Sequence, residues 1–274
     1  MFTDHVVIVT GAGRGIGAAA AQLFAQAGAK VIVNDLDEAQ ANETVATIQA
    51  AGGDALAIAG SVTDLKFPDE LMKRTVDLYG KINVFVNNAG YTWDGMLHKM
   101  TDEQWQAILD VHVTGPFRMV RALTPYMRDV AKADIERNGA PSENRCIINV
   151  SSTSGLHGNI GQANYATGKM GIVGFTKTVA KEWGAFGIRC NAVAFGLIDT
   201  RLTQAKEKGE TIPVGDKDVA LGVPEKLRSP DRRMIPLQRA GTPEDAAGGI
   251  LMMASPYASY VTGHTLEVTG GMGI

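Results

Sequence analysis

Short apolar segments rich in valine and isoleucine recur along the chain, separated by longer stretches with helical periodicity. The segments with the length and composition of β-strands are residues 5–10, 30–34, 55–59, 82–87, 146–151, 188–194 and 265–268. They are almost continuously apolar, which is typical of parallel strands covered on both faces. Amphipathic stretches at 17–28 and 38–53 lie between the first strands. This alternation predicts an α/β fold with helices on both faces of a parallel sheet.

Two helix starts have recognisable sequence signals. Thr101 followed by Gln104 is a capping-box pattern, which predicts a helix that begins there and continues to about Met127. Residues 242–244, Thr-Pro-Glu, supply a cap, a proline at the first helical position and an acid in the first turn. A second helix is therefore predicted to begin after Thr242.

Two segments lack helical or strand periodicity. Residues 129–145 are polar and are expected to form a surface excursion before the next strand. Residues 203–235 are polar, contain prolines and are long for a connection in a compact domain. Because such connections are often functional, we predict one domain over residues 1–274 with a substrate lid at about 203–235.

Composition and charge restrict the class of protein. Of 274 residues, 45% are hydrophobic and 20% are charged, which is typical of a globular domain. The net charge of -3 provides no attraction to nucleic acid or to an anionic membrane. The N-terminal residues lack the basic region and cleavage site of a signal peptide, and no apolar stretch has the length of a membrane span. We therefore expect a cytoplasmic protein that binds neither nucleic acid nor membrane.

The cysteines and histidines have no metal-site pattern. Cys146 and Cys190 lie in separate apolar segments, where two buried free thiols are expected rather than a disulfide-built fold. The five histidines show no ligand spacing with one another or with the cysteines. No metal site is predicted.

A glycine-rich turn, TGAGRGIG at 10–17, follows the first predicted strand and precedes the first helix. Its candidate binding residues are Gly11, Arg14, Gly15, Ile16 and Gly17. Glycines in this place permit a tight turn and let a pyrophosphate approach backbone N–H groups, and the helix N-terminus adds a favourable dipole. The context predicts a dinucleotide site.

Asp35, at the end of the second predicted strand, bears on the choice of dinucleotide. A carboxylate there accepts hydrogen bonds from both hydroxyls of an adenosine ribose and repels a 2′-phosphate, which favours NAD(H). Arg14 acts in the opposite direction, because a guanidinium in the turn can pair with that phosphate, and NADP(H) is the alternative. Asp35 could instead only cap the following turn.

Tyr165 and Lys169 are four residues apart on a predicted helix and therefore share one face. Taken alone, such a pair is more often a surface contact than the chemical centre of an enzyme. The surrounding motifs decide between these two interpretations.

The order and spacing of several motifs resemble the short-chain dehydrogenase/reductase family over nearly the whole chain. The motifs are the glycine-rich turn, NNAG at 87–90, NVSS at 149–152, YATGK at 165–169, and the stretches at 191–200 and 260–271. The resemblance implies a Rossmann-type, doubly wound sheet of seven parallel strands flanked by helices in three layers, and usually a homotetramer. It also implies that Ser152, Tyr165 and Lys169 form the catalytic set.

Reduction of a ketone needs chemical groups that these three residues can supply. A nicotinamide supplies a hydride, and the carbonyl oxygen needs a proton. A free phenol has a pKa of about 10, so we expect the Lys169 ammonium to lower the pKa of Tyr165, which then acts as acid and base. Lys169 should also hold the nicotinamide ribose. Ser152 should donate a hydrogen bond to the substrate oxygen.

The resemblance implies further cofactor contacts. Those around the dinucleotide are Asn88, Ala89 and Gly90, with Val62 against the adenine, Thr200 at the carboxamide and Ile198 on the nicotinamide side. The asparagines of NNAG are also expected to brace neighbouring strands. Ser61 replaces an aspartate that is common in the family, which leaves adenine recognition to backbone groups.

Two positions depart from the family pattern. His112 stands where the family has an asparagine whose backbone carbonyl, at a break in the helix, holds a water leading to the lysine. Retention of that backbone role is the first interpretation of His112, a titratable relay the second and damaged catalysis the third. Phe195 replaces a common proline before the nicotinamide loop.

The stretches at 158–169, 97–105 and 263–272 are most similar to 3-oxoacyl-thioester reductases, which implies a 3-oxoacyl group on a carrier or coenzyme A. Trp93, His157 and Gln162 are candidate substrate residues, although each could be packing. Such reductases usually prefer NADPH, so Asp35 also fits a dehydrogenase of a 3-hydroxyacyl thioester or of a cyclic or steroid-like secondary alcohol. A non-catalytic NAD-binding sensor or assembly subunit is the hypothesis from another class.

Overall fold

A seven-stranded parallel sheet forms the centre of the computed structural model, which describes residues 1–214, 217–222 and 234–273. The strands of the described residues are, in chain order, β1 (Val6–Thr10), β2 (Lys30–Asn34), β3 (Asp54–Ala57), β4 (Val84–Asn87), β5 (Arg145–Ser152), β6 (Ile188–Phe195), β7 (Thr211–Val214), β8 (Lys217–Ala220) and β9 (Thr265–Val268). Of these, β7 and β8 form a separate two-stranded sheet. The sheet has the order β3-β2-β1-β4-β5-β6-β9, and all its pairs are parallel. The predicted Rossmann-type sheet is confirmed, with its topological switch point between β1 and β4.

Helices cover both faces of this sheet. They are α1 (Gly15–Gln26), α2 (Glu38–Ala50), α3 (Phe67–Tyr79), α4 (Asp102–Leu109), α5 (Gly115–Ala122), α6 (Asp129–Asn138), α7 (Thr153–His157), α8 (Ala163–Trp183) and α9 (Pro243–Ala254). One apolar cluster includes Phe24 of α1 and Ile250 of α9, and a second includes Leu71 of α3 and Val179 of α8. The two clusters lie on opposite faces of the strands, because alternate strand residues belong to each, and this gives the predicted three layers.

Both predicted helix starts are capping boxes. Thr101 accepts from the Gln104 backbone N–H at 3.2 Å, and the Gln104 side chain accepts from the Thr101 N–H at 3.0 Å. Thr242 and Asp245 form the same reciprocal pair at the start of α9. The helix that begins after Thr101 does not run uniformly, since π-helical turns at Asp110–Thr114 and Thr124–Arg128 interrupt it.

The predicted surface excursion at 129–145 is wrong for its first part, because Asp129–Asn138 is helix α6. The polar residues that suggested exposure include Asp134, which is buried. Its carboxylate accepts from Arg145 at 3.1 Å and from the Ser142 backbone at 2.9 Å. A buried ion pair at the start of β5 therefore lies in a segment whose polarity resembles that of a loop.

The predicted lid is only partly within the described residues. β7 and β8 form an antiparallel hairpin, while residues 215–216 and 223–233 lie outside the described part of the chain. A single domain with a lid stays a prediction. Among the helices of the described residues, none is long and apolar enough to cross a membrane.

Candidate active site

A cleft of about 1460 Å³ runs along the carboxyl ends of the central strands. The residues predicted from sequence that line it are Gly11, Arg14, Gly15, Ile16, Gly17, Asp35, Ser61, Val62, Asn88, Ala89, Gly90, His112, Ser152, His157, Gln162, Tyr165, Lys169, Ile198 and Thr200. Trp93 is not among the described lining residues. Ligands of doubly wound folds bind at this edge of the sheet, so the predicted dinucleotide and catalytic residues share one site.

The glycine-rich turn has the shape that a pyrophosphate requires. Gly11 and Gly15 have φ of +62° and +55°, which glycine adopts without strain. A Cβ at Gly17 would lie 2.2 Å from the Gly11 carbonyl oxygen, so no side chain fits between turn and helix. Within the described chain, the N-cap residue Arg14 gives α1 no side-chain cap. The first N–H groups of α1 are thus free of a capping side chain, and this end of the cleft fits a dinucleotide.

Asp35 holds the glycine-rich turn in place. One carboxylate oxygen accepts from the Gly13 N–H at 2.9 Å, and the other accepts from the Asp37 N–H at 3.1 Å. The capping role considered from sequence is therefore present. Because Asp35 also lines the cleft, it serves the turn and faces the ligand space.

The NNAG segment braces the strands beside the cleft. Asn88 Nδ2 donates to the carbonyls of Thr10 and Gly11 at 2.9 and 3.0 Å, and Asn87 donates to Asn149 Oδ1 at 2.8 Å. These contacts fix the edge of β4 against β1 and β5. The structural role expected for the asparagines is confirmed, while Asn88 also lines the cleft.

Ser152, Tyr165 and Lys169 meet where β5 and α8 pack together. Ser152 ends β5, and its Oγ accepts from the Ser154 N–H at 3.1 Å. Lys169 Nζ donates to the Val150 carbonyl at 2.8 Å and lies 5.6 Å from the centre of the Tyr165 ring. Lys169 is buried, Tyr165 is partly buried and both line the cleft, so the surface-contact interpretation is wrong.

Burial reverses the expected pKa direction of Tyr165. It raises the pKa of Tyr165 to about 12, an effect that the Ser152 hydroxyl opposes and Asp94 reinforces. Burial also lowers the pKa of Lys169 to about 7. In the chain without a dinucleotide, burial sets the pKa of Tyr165, and a lowering by Lys169 stays a prediction. The phenol stays protonated at neutral pH.

His112 is buried in the π-helical turn that follows α4. Its Nε2 lies 2.8 Å from the Tyr91 carbonyl and must donate to it, which leaves Nδ1 as an acceptor without a partner among the described residues. The centres of the His112 and Tyr165 rings are 5.1 Å apart, and the two ring planes are perpendicular. Burial, followed by the positive charge of Lys169, lowers the pKa of His112 well below its usual value. A neutral imidazole at a helix break fits the backbone interpretation better than a titrating relay.

The candidate substrate residues differ in their placement. Gln162 lines the cleft, but its side-chain amide donates to Asp94 at 3.1 Å and accepts from Asn159 at 3.0 Å. His157 is exposed and lies 3.7 Å from Glu267. The Trp93 ring packs instead against the Lys217 ammonium, at 5.9 Å.

Sequence reasoning did not identify the apolar wall on one side of the cleft, although four of its seven residues lie within the predicted lid at 203–235. Its members are Leu197, Leu202, Ile212, Val214, Leu221, Met234 and Met272. They come from the loop after β6, the hairpin and the residue after it, the segment before α9 and the C-terminal segment, and no motif links these segments. Phe195, the departure noted from sequence, also lines the cleft, and its carbonyl accepts from Thr153 at 3.2 Å.

Several known proteins are similar to this chain over almost its whole length. The short chain dehydrogenase family matches residues 5–211. A 3-oxoacyl-(acyl-carrier-protein) reductase of Synechocystis sp. is 41% identical over 273 residues, which cover 98% of this chain and 97% of that protein. The proteins of the same name from Thermotoga maritima and Vibrio cholerae are 39% and 37% identical over 267 residues, 97% of this chain and 97% and 96% of theirs.

Proposed function

The chain belongs to the short-chain dehydrogenase family and interconverts a ketone and a secondary alcohol with a nicotinamide dinucleotide; from that premise we propose that it reduces the 3-oxo group of an acyl thioester. The observation that carries the proposal is one cleft that joins the glycine-rich turn, the three residues Ser152, Tyr165 and Lys169, and an apolar wall suited to an acyl chain. The similarity to 3-oxoacyl-(acyl-carrier-protein) reductases supports this substrate class.

The residues of the chain divide the chemistry among them. The nicotinamide supplies the hydride when it is bound. Tyr165, protonated at neutral pH, donates the proton that the carbonyl oxygen takes up, and the Ser152 hydroxyl stabilises the charge that develops there. Lys169, held by the Val150 carbonyl, binds the nicotinamide ribose.

The remaining cofactor residues are proposed in the roles that the sequence predicts. Their positions along the cleft support an adenine end at Ser61 and Val62 and a nicotinamide end at Ile198 and Thr200. Asp35 supports a preference for NAD(H), because its charge faces the same space and opposes a 2′-phosphate.

A substrate panel with both dinucleotides tests this function. We expect oxidation of NADH on addition of 3-oxoacyl thioesters, with a KM for NADH about tenfold below that for NADPH. The decrease in absorbance of the reduced nicotinamide measures both. Faster turnover of cyclic ketones than of any thioester would contradict the substrate, and a lower KM for NADPH would contradict the dinucleotide preference. Binding of NADH without turnover across the panel would favour the sensor hypothesis.

His112→Asn is expected to keep catalytic activity, with kcat/KM lowered less than about tenfold. Asparagine preserves the backbone carbonyl at the π-helical turn, and the neutral imidazole supplies no charge that is lost. Steady-state kinetics with NADH and the best substrate of the panel measures this. A loss of more than about a hundredfold would contradict the backbone interpretation and support a catalytic imidazole.

We also propose a homotetramer in the cytoplasm, as the sequence resemblance implies. Phe117 of α5 and Met170 of α8 are 44% and 49% exposed, and these apolar side chains support contact between subunits.

The hairpin is proposed as part of the lid. Lys217 supports this, because its ammonium contacts Glu103 of α4 and packs on Trp93, which attaches the hairpin to the body of the domain.

A further inference from the structure

Three charged side chains converge at the end of the cleft formed by the glycine-rich turn and the start of α2. Arg14 belongs to the turn, Asp35 follows β2, and Asp37 is the N-cap residue of α2. All three line the cleft. A dinucleotide that enters with its pyrophosphate at the turn brings its adenosine ribose to this end.

Arg14 does not face this space as an isolated cation. Its guanidinium donates to Asp37 Oδ2 at 3.1 Å, and the two side chains are 41% and 50% exposed. The other oxygen of Asp37 accepts from the Gln40 N–H at 3.3 Å, as the cap of α2. Asp37 is therefore fixed by its own helix while it holds the guanidinium.

Asp35 fixes the relative position of these two groups. Its carboxylate accepts from the Gly13 N–H of the turn and from the Asp37 N–H at the start of α2. The ion pair between Arg14 and Asp37 thus spans two segments that one carboxylate already ties together. An exposed ion pair contributes little to stability, so its main effect is on the charge presented to a ligand.

We propose that Asp37 is a second determinant of dinucleotide choice, which neutralises Arg14 and so removes the cation that a 2′-phosphate would bind. This inference rests on the proposed dinucleotide site. With Asp37 in place, the three side chains carry a net negative charge, and a 2′-phosphate meets repulsion. Without the carboxylate of Asp37, the guanidinium becomes available for a charge-assisted hydrogen bond to the phosphate. Selection against 2′-phosphorylated dinucleotides therefore depends on two aspartates rather than on Asp35 alone.

The variant Asp37→Asn tests this in the full chain without substrate, by titration of NADH and NADPH followed by nicotinamide fluorescence. Asparagine is also a good N-cap, so α2 keeps its start while the charge is removed. We expect the Kd for NADPH to decrease about tenfold and the Kd for NADH to change less than about threefold. An unchanged Kd for NADPH would overturn the inference.

Two further variants test whether a gain in NADPH affinity comes from Arg14 or from the change in net charge. In Asp37→Asn/Arg14→Ala the gain in NADPH affinity should disappear, because the cation that provides it is gone; a gain that persists would overturn the inference. Asp77→Asn removes a carboxylate of comparable exposure, paired with Lys73 on α3, and should leave both Kd values within about twofold. An equal NADPH gain in Asp77→Asn would overturn the inference by assigning the effect to net charge.

The same titration separates this inference from the proposed function. Binding of NADH to the unsubstituted chain supports the dinucleotide site on which both depend. If neither dinucleotide binds any variant, the site itself is refuted and the inference falls with it. If NADH binds and Asp37→Asn gains no NADPH affinity, the inference alone is refuted.

Discussion

Tyr165→Phe is expected to lower kcat by about a thousandfold while the Kd for NADH changes less than about twofold. The substitution removes the hydroxyl that gives its proton to the carbonyl oxygen and leaves the ring that packs edge-on against His112. Because the ring and its neighbours remain, the fold and the dinucleotide site should be unaffected. Steady-state kinetics and fluorescence titration on the same preparation measure the two effects.

Tyr91→Phe is a matched control for this experiment. Tyr91 is a second tyrosine that lines the same cleft, and burial raises its pKa to about 12 as well. Its contact with His112 is through the backbone carbonyl, which the substitution preserves. The control should keep kcat within about threefold. Equal losses in both variants, or a Tyr165→Phe variant that keeps a tenth of the activity, would contradict the assignment of Tyr165 as the proton donor.

The sheet could be predicted because its signal is local and repeated. Each strand is a short apolar run followed by a helical period, and burial on both faces leaves no alternative to a parallel sheet for such runs. The glycine-rich turn could be predicted from its place between a strand and a helix. The spacing of residues 165 and 169 fixes only a shared helix face, and the surrounding family motifs indicated their chemistry. Features that a single segment determines are therefore the ones that the sequence predicted well.

Features that depend on distant segments were missed. Asp134 is polar in sequence and buried in the fold, because Arg145 reaches it from the start of β5. Whether the pKa of Tyr165 lies above or below that of a free phenol depends on how deeply α8 packs into the cleft. The spacing between Tyr165 and Lys169 contains no information on that depth. The contact between Asp37 and Arg14 has no signal in the sequence, because it joins two turns that no motif connects.

The packing of Gly90 against His112 leads to the largest expected effect on stability. A Cβ at Gly90 would lie 2.2 Å from Cε1 and 2.9 Å from Nδ1 of the buried His112 ring. The ring cannot turn away without losing its hydrogen bond to the Tyr91 carbonyl. Gly90→Ala should therefore lower the free energy of unfolding by about 3 kcal/mol, as overpacking of a rigid site does. Denaturant unfolding followed by circular dichroism measures the change.

Removal of the ring should relieve this clash. In Gly90→Ala/His112→Ala the alanine at 90 meets no imidazole, so the double variant should be less stable than His112→Ala by less than about 0.5 kcal/mol. Gly174→Ala in α8 is the control, because a Cβ there meets nothing within 4 Å. It should be neutral or stabilising by up to about 1 kcal/mol. Additive losses in the double variant would mean that Gly90 is required for its backbone rather than for the space that His112 fills, and the steric explanation would be refuted.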